Sequence, residues 1–250
     1  FKHGRYADVR YDTAFKKCFG SEQYKLATIG LLNAIITEGN IVDVKFVNTE
    51  LPGMTKDDRK GIIDVLCTDT EGKTFFIEMQ RAEHEFFQER TYFYSSLYVQ
   101  RQAQRGDWNF KLEPSYVIAF LNFPIRQLTD TGCYMQHYRM TERSSGSKLP
   151  GSSEFFFFDL KNFTKNDGEL SNDIEKWLFL VKNSSVLESR PESISGKAFD
   201  VFLEAAEIAG YTKDEFIQYE KNMVTELDIK LALNAELYHR YFEDATLYGY

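Results

Sequence analysis

The stretch from Gly61 to Arg81, GIIDVLCTDTEGKTFFIEMQR, constrains the fold of this chain more than any other segment. It contains two apolar runs, 62–66 and 75–77, separated by the turn-forming residues 69–73. Gly72 can adopt the positive φ that a tight turn requires, because it has no Cβ atom. The pattern therefore predicts two antiparallel β-strands joined by a short turn.

Each predicted strand carries one carboxylate in an apolar setting. Asp64 lies in the first strand, and Glu78 lies near the end of the second. Gln80 follows Glu78 by two residues, so both side chains point to the same face of an extended strand. A hairpin of this kind can bring Asp64, Glu78 and Gln80 together on one side of a sheet.

Two carboxylates in a largely buried hairpin are costly, because burial removes their hydration and their charges repel. A divalent cation between Asp64 and Glu78 would relieve both penalties, and carboxylate oxygens suit Mg²⁺ or Mn²⁺. The alternative is that both side chains lie on the solvent face of an antiparallel sheet and bind nothing. The hairpin pattern by itself leaves both interpretations open.

The composition excludes several classes of protein. Hydrophobic residues make up 43% of the 250 residues and aromatic residues 16%, which favours a sizeable core over bulk disorder. The net charge of −8 argues against broad non-specific binding to a polyanion, but not against a local basic groove. Cys18, Cys67 and Cys133 are too widely separated to indicate a disulfide framework or a zinc site. Without a membrane-length apolar run or a visible signal peptide, we expect a cytoplasmic protein with no membrane partner.

The order of the predicted elements indicates the fold class. These elements are helices at 11–19 and 21–37, a strand at 41–51, the hairpin, a helix at 84–105, strands at 116–123, 133–140 and 155–160, and helices after about residue 171. A helix packed across a mixed sheet of this order predicts an α/β core, in the sense of an α+β mixed sheet. We expect this core in residues 1–165 and a helical C-terminal subdomain in residues 166–250.

Several of these stretches resemble a known family. The matching segments are YDTAFKKCFG at Tyr11–Gly20, LLNAII at Leu31–Ile36, GIIDVLCTDTEGKTFFIEMQ at Gly61–Gln80, ERTYFYSSLYVQRQAQRGDW at Glu89–Trp108 and YVIAFLNF at Tyr116–Phe123, with weaker matches in the C-terminal helices. Together they resemble the PD-(D/E)xK nuclease core, and more closely the recombination-promoting nuclease family, whose members are often labelled transposases. Residues 126–153 show no clear match. The resemblance implies a restriction-endonuclease-like core.

The resemblance also implies roles for particular residues. Asp64 and Glu78, together with the backbone carbonyl of Met79, would bind one Mg²⁺ or Mn²⁺ ion, which would polarise the scissile phosphate and lower the pKa of a water molecule. Gln80 occupies the position where the superfamily has a lysine, and glutamine can hold a water molecule but cannot act as a base. Asp12 is the candidate for an additional acid from the first helix. The alternative for Asp12 is that its side chain caps that helix, and the two roles can coexist.

Other candidates have equally plausible structural explanations. Arg90 could contact a phosphate, or it could pair with a nearby acid. Tyr94 is expected in the core, and Glu22, the reserve acid, is expected to be an exposed helix residue. The remaining polar candidates, for support of the site or contact with a nucleic-acid backbone, are Gln100, Gln104, Lys16, Lys17, Lys56, Arg59 and Lys60, whereas His84 is taken as structural.

The first functional hypothesis is a metal-dependent DNA endonuclease that hydrolyses phosphodiester bonds and is linked to recombination or mobile elements. Its partners would be DNA and a second copy of the chain in a homodimer, with no small-molecule cofactor. The alternative is a catalytically weak DNA-binding or protein-interaction module that retains the nuclease fold. Gln80 and the acidic net charge favour this alternative, whereas the presence of both Asp64 and Glu78 opposes it. A weaker third hypothesis is a nuclease that acts on RNA.

Overall fold

The computed structural model describes residues 4–51, 61–83, 85–103, 106–128 and 131–225. The chain divides into two compact units, Phe1–Gly210 and Tyr211–Tyr250. Part of the helical region predicted after about residue 171, from residue 226 onwards, lies outside the described residues. Within the second unit, residues 213–225 are helical, and Thr212 and Glu215 cap this helix by exchanging hydrogen bonds between the side chain of each and the backbone amide of the other.

A mixed six-stranded sheet forms the centre of the first unit. In space, its strands follow the order β1-β4-β5-β6-β8-β7. Strands β5, β6 and β8 are mutually parallel, whereas β1, β4 and β7 pair antiparallel to their neighbours. Strands β2 and β3 form a separate two-stranded ladder. The strands are β1 Val44–Phe46, β2 Glu50–Leu51, β3 Gly61–Ile62, β4 Val65–Asp69, β5 Thr74–Gln80, β6 Ser115–Leu121, β7 Met135–Arg139 and β8 Glu154–Asp159.

Helices cover both faces of this sheet. They are α1 Asp12–Phe19, α2 Lys25–Ile35, α3 Phe87–Arg101, α4 Asp173–Asn183 and α5 Lys197–Ala206. Alternate residues of each strand point to opposite faces, so Ile77 belongs to the core under α1, α2, α4 and α5, whereas Phe76 belongs to the core under α3. The result is the predicted α/β architecture with a restriction-endonuclease-like core. No described helix is both long enough and apolar enough to cross a membrane.

The predicted hairpin is confirmed. Val65 pairs with Ile77 and Thr68 with Thr74 across β4 and β5. Gly72 has a φ of 86° in the turn, where Oδ1 of Asp69 accepts hydrogen bonds from the backbone amides of Glu71 and Lys73. One detail differs from the prediction, because Asp64 lies in a bend just before β4 and not within the strand.

The C-terminal helices α4 and α5 share the core of the sheet. The ring centroids of Phe19 and Phe202 are 5.3 Å apart, and those of Phe19 and Trp177 are 6.0 Å apart. Gly30 of α2 lies so close to α5 that an added Cβ atom would be 2.4 Å from the Cβ of Ala198. The expected boundary between residues 165 and 166 therefore falls inside the first compact unit, which extends to Gly210.

Candidate active site

Asp64 and Glu78 lie side by side at one end of the hairpin. The antiparallel register that pairs Val65 with Ile77 places Asp64, one residue earlier, opposite Glu78. Oδ2 of Asp64 accepts a hydrogen bond of 2.9 Å from the backbone amide of Met79. The bend before β4 is thus tied to β5 beside Glu78, and two carboxylates from different elements are held next to each other.

This pair of carboxylates is poorly hydrated. Glu78 is only 7% exposed, and burial, followed by the nearby charge of Asp64, raises its pKa to about 8. Burial also raises the pKa of Asp64, although the hydrogen bond from Met79 acts in the opposite direction. At neutral pH the pair therefore favours the uptake of a positive charge, either a proton or a cation.

Asp12 lies in the first turn of α1 and does not cap it. The N-cap residue is Tyr11, which makes no side-chain capping bond, so the capping alternative for Asp12 is wrong. The Asp12 carboxylate is half exposed and lies 2.6 Å from Nζ of Lys16, one turn further along the helix. The charges of Asp12 and Lys16 both influence the pKa of Asp64, which places the start of α1 at the border of the site.

Gln80 lies at the end of β5, and both ends of its amide group make hydrogen bonds. Its Oε1 accepts a bond of 2.7 Å from Nη2 of Arg90, and its Nε2 donates a bond of 2.9 Å to the carbonyl oxygen of Ala82. Arg90 lies on α3, and its charge lowers the pKa of Glu78 and that of Asp64. The structure therefore brings Asp64, Glu78, Gln80 and Arg90 together.

The other predicted candidates lie elsewhere. Tyr94 packs against the core under α3, as expected. Glu22 is exposed, with its carboxylate 3.8 Å from Nζ of Lys25, and Nζ of Lys17 lies 5.9 Å from the ring centroid of Tyr24. The candidates Lys56, Arg59, Lys60, His84 and Gln104 fall outside the described residues. Within the described ranges, no three or more His, Cys, Asp or Glu side chains form a group that could hold a metal ion.

Sequence reasoning missed a set of basic residues at the carboxyl ends of the parallel strands. Asn122 follows β6; its backbone amide donates to the carbonyl of Gln80 at 2.9 Å, and its side chain accepts a bond of 3.4 Å from Arg10. Arg81 follows β5, and its guanidinium lies 3.8 Å from the ring centroid of Tyr11. We call Arg10, Arg81, Lys161 and Lys182 the basic rim.

Three members of the basic rim, Arg10, Lys161 and Lys182, interact electrostatically. Burial lowers the pKa of Lys182, and the positive charges of Lys161 and Arg10 lower it further. Arg10 forms a two-bond ion pair with Asp8, in which Nε donates to Oδ1 at 2.8 Å and Nη2 donates to Oδ2 at 2.7 Å. The sequence did hold a signal for the basic rim, because Arg81 and Lys161 come directly after predicted strands. The ends of parallel strands meet at one edge of a sheet, so residues in these positions lie close together.

Comparison with known proteins adds one finding. A family model described as PD-(D/E)XK nuclease family transposase matches residues 9–236, which include every candidate residue of the hairpin and of α3. Searches of curated proteins and of solved structures found no match.

Proposed function

The chain belongs to the PD-(D/E)XK nuclease family transposases, and we propose that it is a metal-dependent endonuclease that hydrolyses phosphodiester bonds in DNA. The observation that carries this proposal is the burial of Glu78 directly beside Asp64. A protein has little reason to retain two adjacent, desolvated carboxylates unless a cation or a proton is bound there. The family supports a nuclease reaction, and the carboxylate pair supports this position for the site.

The residues present suit a divalent metal ion. Asp64 and Glu78 offer hard oxygen ligands, and burial disfavours their negative charge unless a cation compensates it. In a β-strand the amide and carbonyl of one residue point to the same side, so the carbonyl of Met79 points towards Asp64, which accepts from the Met79 amide. Asp64, Glu78 and the Met79 carbonyl would hold Mg²⁺ or Mn²⁺.

When bound, such an ion supplies Lewis-acid polarisation of the phosphate and lowers the pKa of water. The chain's own residues prepare the site for it. The Met79 amide fixes the orientation of the Asp64 carboxylate, and the burial of Glu78 keeps its oxygens away from competing water. Gln80 has no acid–base function at neutral pH, so it can orient groups by hydrogen bonds but cannot take a proton. Asp12, beside Lys16, would act only from the border of the site.

The basic rim supports DNA as the substrate. Although the whole chain carries a net charge of −8, Arg10, Arg81, Lys161 and Lys182 gather at the sheet edge that carries Gln80. Phosphate contacts by Lys and Arg supply most of the non-specific affinity for DNA. The family description, which is that of a transposase, supports a role in recombination or the movement of mobile elements.

We also propose a homodimer, because two copies of one active site would allow both strands of a duplex to be cut. Light scattering at working concentration tests this point, and a monomer in the presence of DNA would contradict it.

The central test is the nicking of supercoiled plasmid with Mg²⁺, with Mn²⁺ or with a chelator. We compare the wild type with Asp64→Asn and Glu78→Gln, which keep the size of each side chain and remove its charge. The matched control is Glu71→Gln, an exposed carboxylate in the turn of the same hairpin. We expect metal-dependent cleavage by the wild type and the control, and a loss of about 100-fold or more in both site variants. Equal cleavage by all four proteins would contradict the proposal.

One observation favours a second candidate function, a DNA-binding module without efficient catalysis. Gln80 cannot accept a proton, and its amide is already held by Arg90 and Ala82. Plasmid binding by a well-folded wild type that never cuts in Mg²⁺ or Mn²⁺ would favour this module over the nuclease.

A further inference from the structure

Arg90 brings a positive charge to the carboxyl end of β5, where Gln80 lies. It lies ten residues after Gln80 on α3, and its Nη2 donates the 2.7 Å hydrogen bond to Oε1 of Gln80. Its guanidinium lies 5.3 Å from the ring centroid of Phe87, one helical turn earlier. Both contacts restrict the side chain, so the guanidinium is held in a defined position.

No described carboxylate neutralises the charge of Arg90. Within the described parts of the chain, no carboxylate oxygen lies within 4.0 Å of its guanidinium nitrogens, so the alternative in which Arg90 pairs with a nearby acid finds no partner among these residues. Its Nε atom is buried and makes no hydrogen bond to a described residue. A guanidinium in this situation retains both charge and donor capacity for an incoming anion.

Arg90 also lies beside the carboxylate pair. Its partner Gln80 follows Glu78 by two residues on the same face of β5, so the hydrogen bond to Oε1 holds the guanidinium at the strand end that carries Glu78. Lys16 of α1 also borders the site, but its Nζ lies 2.6 Å from Oδ1 of Asp12 and its side chain is 41% exposed. Arg90 is thus the better candidate for a positive charge that serves the reaction.

We propose that Arg90 binds the scissile phosphate and that Gln80 holds its guanidinium in place for this role. Arg90 is the catalytic residue, which contacts a non-bridging oxygen of the scissile phosphate, and Gln80 is a positioning residue, which orients the guanidinium. The inference rests on the proposed nuclease function and adds a phosphate-binding group to it. It gives the amide of Gln80 a role that needs neither charge nor basicity.

The chemical consequence is that neither residue removes a proton. In the hydrolysis, the oxygen of water forms the new P–O bond, and one P–O bond to deoxyribose breaks. The leaving alkoxide takes up a proton, and the proton lost by water passes to solvent, because arginine stays protonated and glutamine cannot accept one. Arg90 contributes charge stabilisation alone, which acts on the phosphate as negative charge accumulates.

The test removes the positive charge from position 90 on α3 and returns one at position 80, at the end of β5. Arg90→Ala should lower kcat by about 100-fold or more, and Arg90→Lys should recover part of that loss, because lysine is a point charge without the planar fork. Gln80→Lys in the Arg90→Ala background should restore cleavage by about 10-fold or more, because it returns a cation to the end of β5. Arg101→Ala, an exposed arginine in the last turn of the same helix, is the control and should cut like the wild type.

A second readout separates catalysis from folding. Mn²⁺ binding, measured by electron paramagnetic resonance, should be unchanged or tighter in Arg90→Ala, because a cation near Asp64 and Glu78 has been removed. A merely structural role would instead weaken Mn²⁺ binding and cleavage together, without rescue by Gln80→Lys, and that result would overturn the inference. Cleavage by Arg90→Ala at the wild-type rate would also overturn the inference. If the wild type itself never cuts, the nuclease function fails first and this inference falls with it.

Discussion

Oδ2 of Asp64 accepts a 2.9 Å hydrogen bond from the backbone amide of Met79, the residue next to Glu78. The Asp64 carboxylate is therefore both a structural tie between the bend before β4 and strand β5 and a candidate metal ligand. These two roles can be separated by substitution, because an asparagine side chain retains an oxygen acceptor but carries no charge.

We predict that Asp64→Ala lowers the free energy of unfolding in the absence of metal by about 1–3 kcal/mol, since it leaves the Met79 amide without its acceptor. Asp64→Asn should keep the wild-type stability or exceed it, because it removes a desolvated charge beside Glu78. Urea denaturation in chelator measures both. Equal losses in the two variants would show that the charge, and not the acceptor, stabilises the bend.

A second prediction concerns pH. Folding raises the pKa of Glu78 from 4.5 to about 8, so over this interval the folded state binds the proton more tightly than the unfolded state. The contribution of Glu78 to stability is therefore fully present below about pH 4.5 and is lost as the pH rises to about 8. Urea denaturation in chelator measures the free energy of unfolding across this pH range. We expect it to fall less for Glu78→Gln than for the wild type. Identical pH profiles would contradict the desolvation of Glu78.

Metal removal provides a third prediction. A cation that binds only the folded protein stabilises it by mass action, and it competes with the proton on Glu78. Mn²⁺ should therefore raise Tm more at about pH 8 than at about pH 6, and the increase should vanish in Glu78→Gln. Thermal melts with and without Mn²⁺ measure this effect, and Glu71→Gln is the control. A Tm increase in Glu78→Gln equal to that of the wild type would mean that the ion binds elsewhere.

The basic rim leads to a prediction about affinity. Lys161→Glu should weaken DNA binding in chelator and reduce the slope of the logarithm of affinity against the logarithm of salt concentration by about 1, as expected for one lost phosphate contact. Lys111→Glu is the control, since Lys111 is exposed and precedes the amino end of β6, at the opposite edge of the sheet. Fluorescence anisotropy over a salt series measures both. Equal losses in the two variants would indicate an effect of net charge alone.

The packing of α2 on α5 predicts that Gly30→Ala destabilises the protein, although alanine favours a helix over glycine. Alanine normally stabilises a helix by up to about 1 kcal/mol relative to glycine. At Gly30, however, the new Cβ atom would lie 2.4 Å from the Cβ of Ala198, and we expect a net destabilisation of about 1–3 kcal/mol. Gly168→Ala meets no atom within 4 Å and is the control. Denaturant unfolding compares the two, and a stabilised Gly30→Ala would contradict this packing.

Local patterns predicted the hairpin and the meeting of Asp64 with Glu78, because both follow from strand alternation and from the position of Gly72. They could not predict that β4 begins after Asp64, since an apolar run does not reveal where strand pairing starts. The capping alternative for Asp12 failed by one residue for a similar reason, because helix boundaries depend on backbone geometry that residue type only weakly determines.

Contacts between segments that are distant in sequence could not be predicted either. Arg90 meets Gln80 only because α3 folds back across the end of β5, and Arg10 reaches Asn122 across more than a hundred residues of chain. The packing of Trp177 and Phe202 on Phe19 is equally non-local. Periodicity correctly predicts that such helices have an apolar face, but it does not say which surface that face will cover.

The packing of α5 on α1 and α2 has a consequence during synthesis of the chain. Phe19 and Gly30 emerge from the ribosome well before their partners Phe202 and Ala198, which lie far along the chain from them. Until α5 is made, the helix that carries Asp12 lacks part of the surface on which it rests. We therefore expect the candidate active site to mature only after α5 has left the exit tunnel, so that nascent chains that lack α5 have no assembled site.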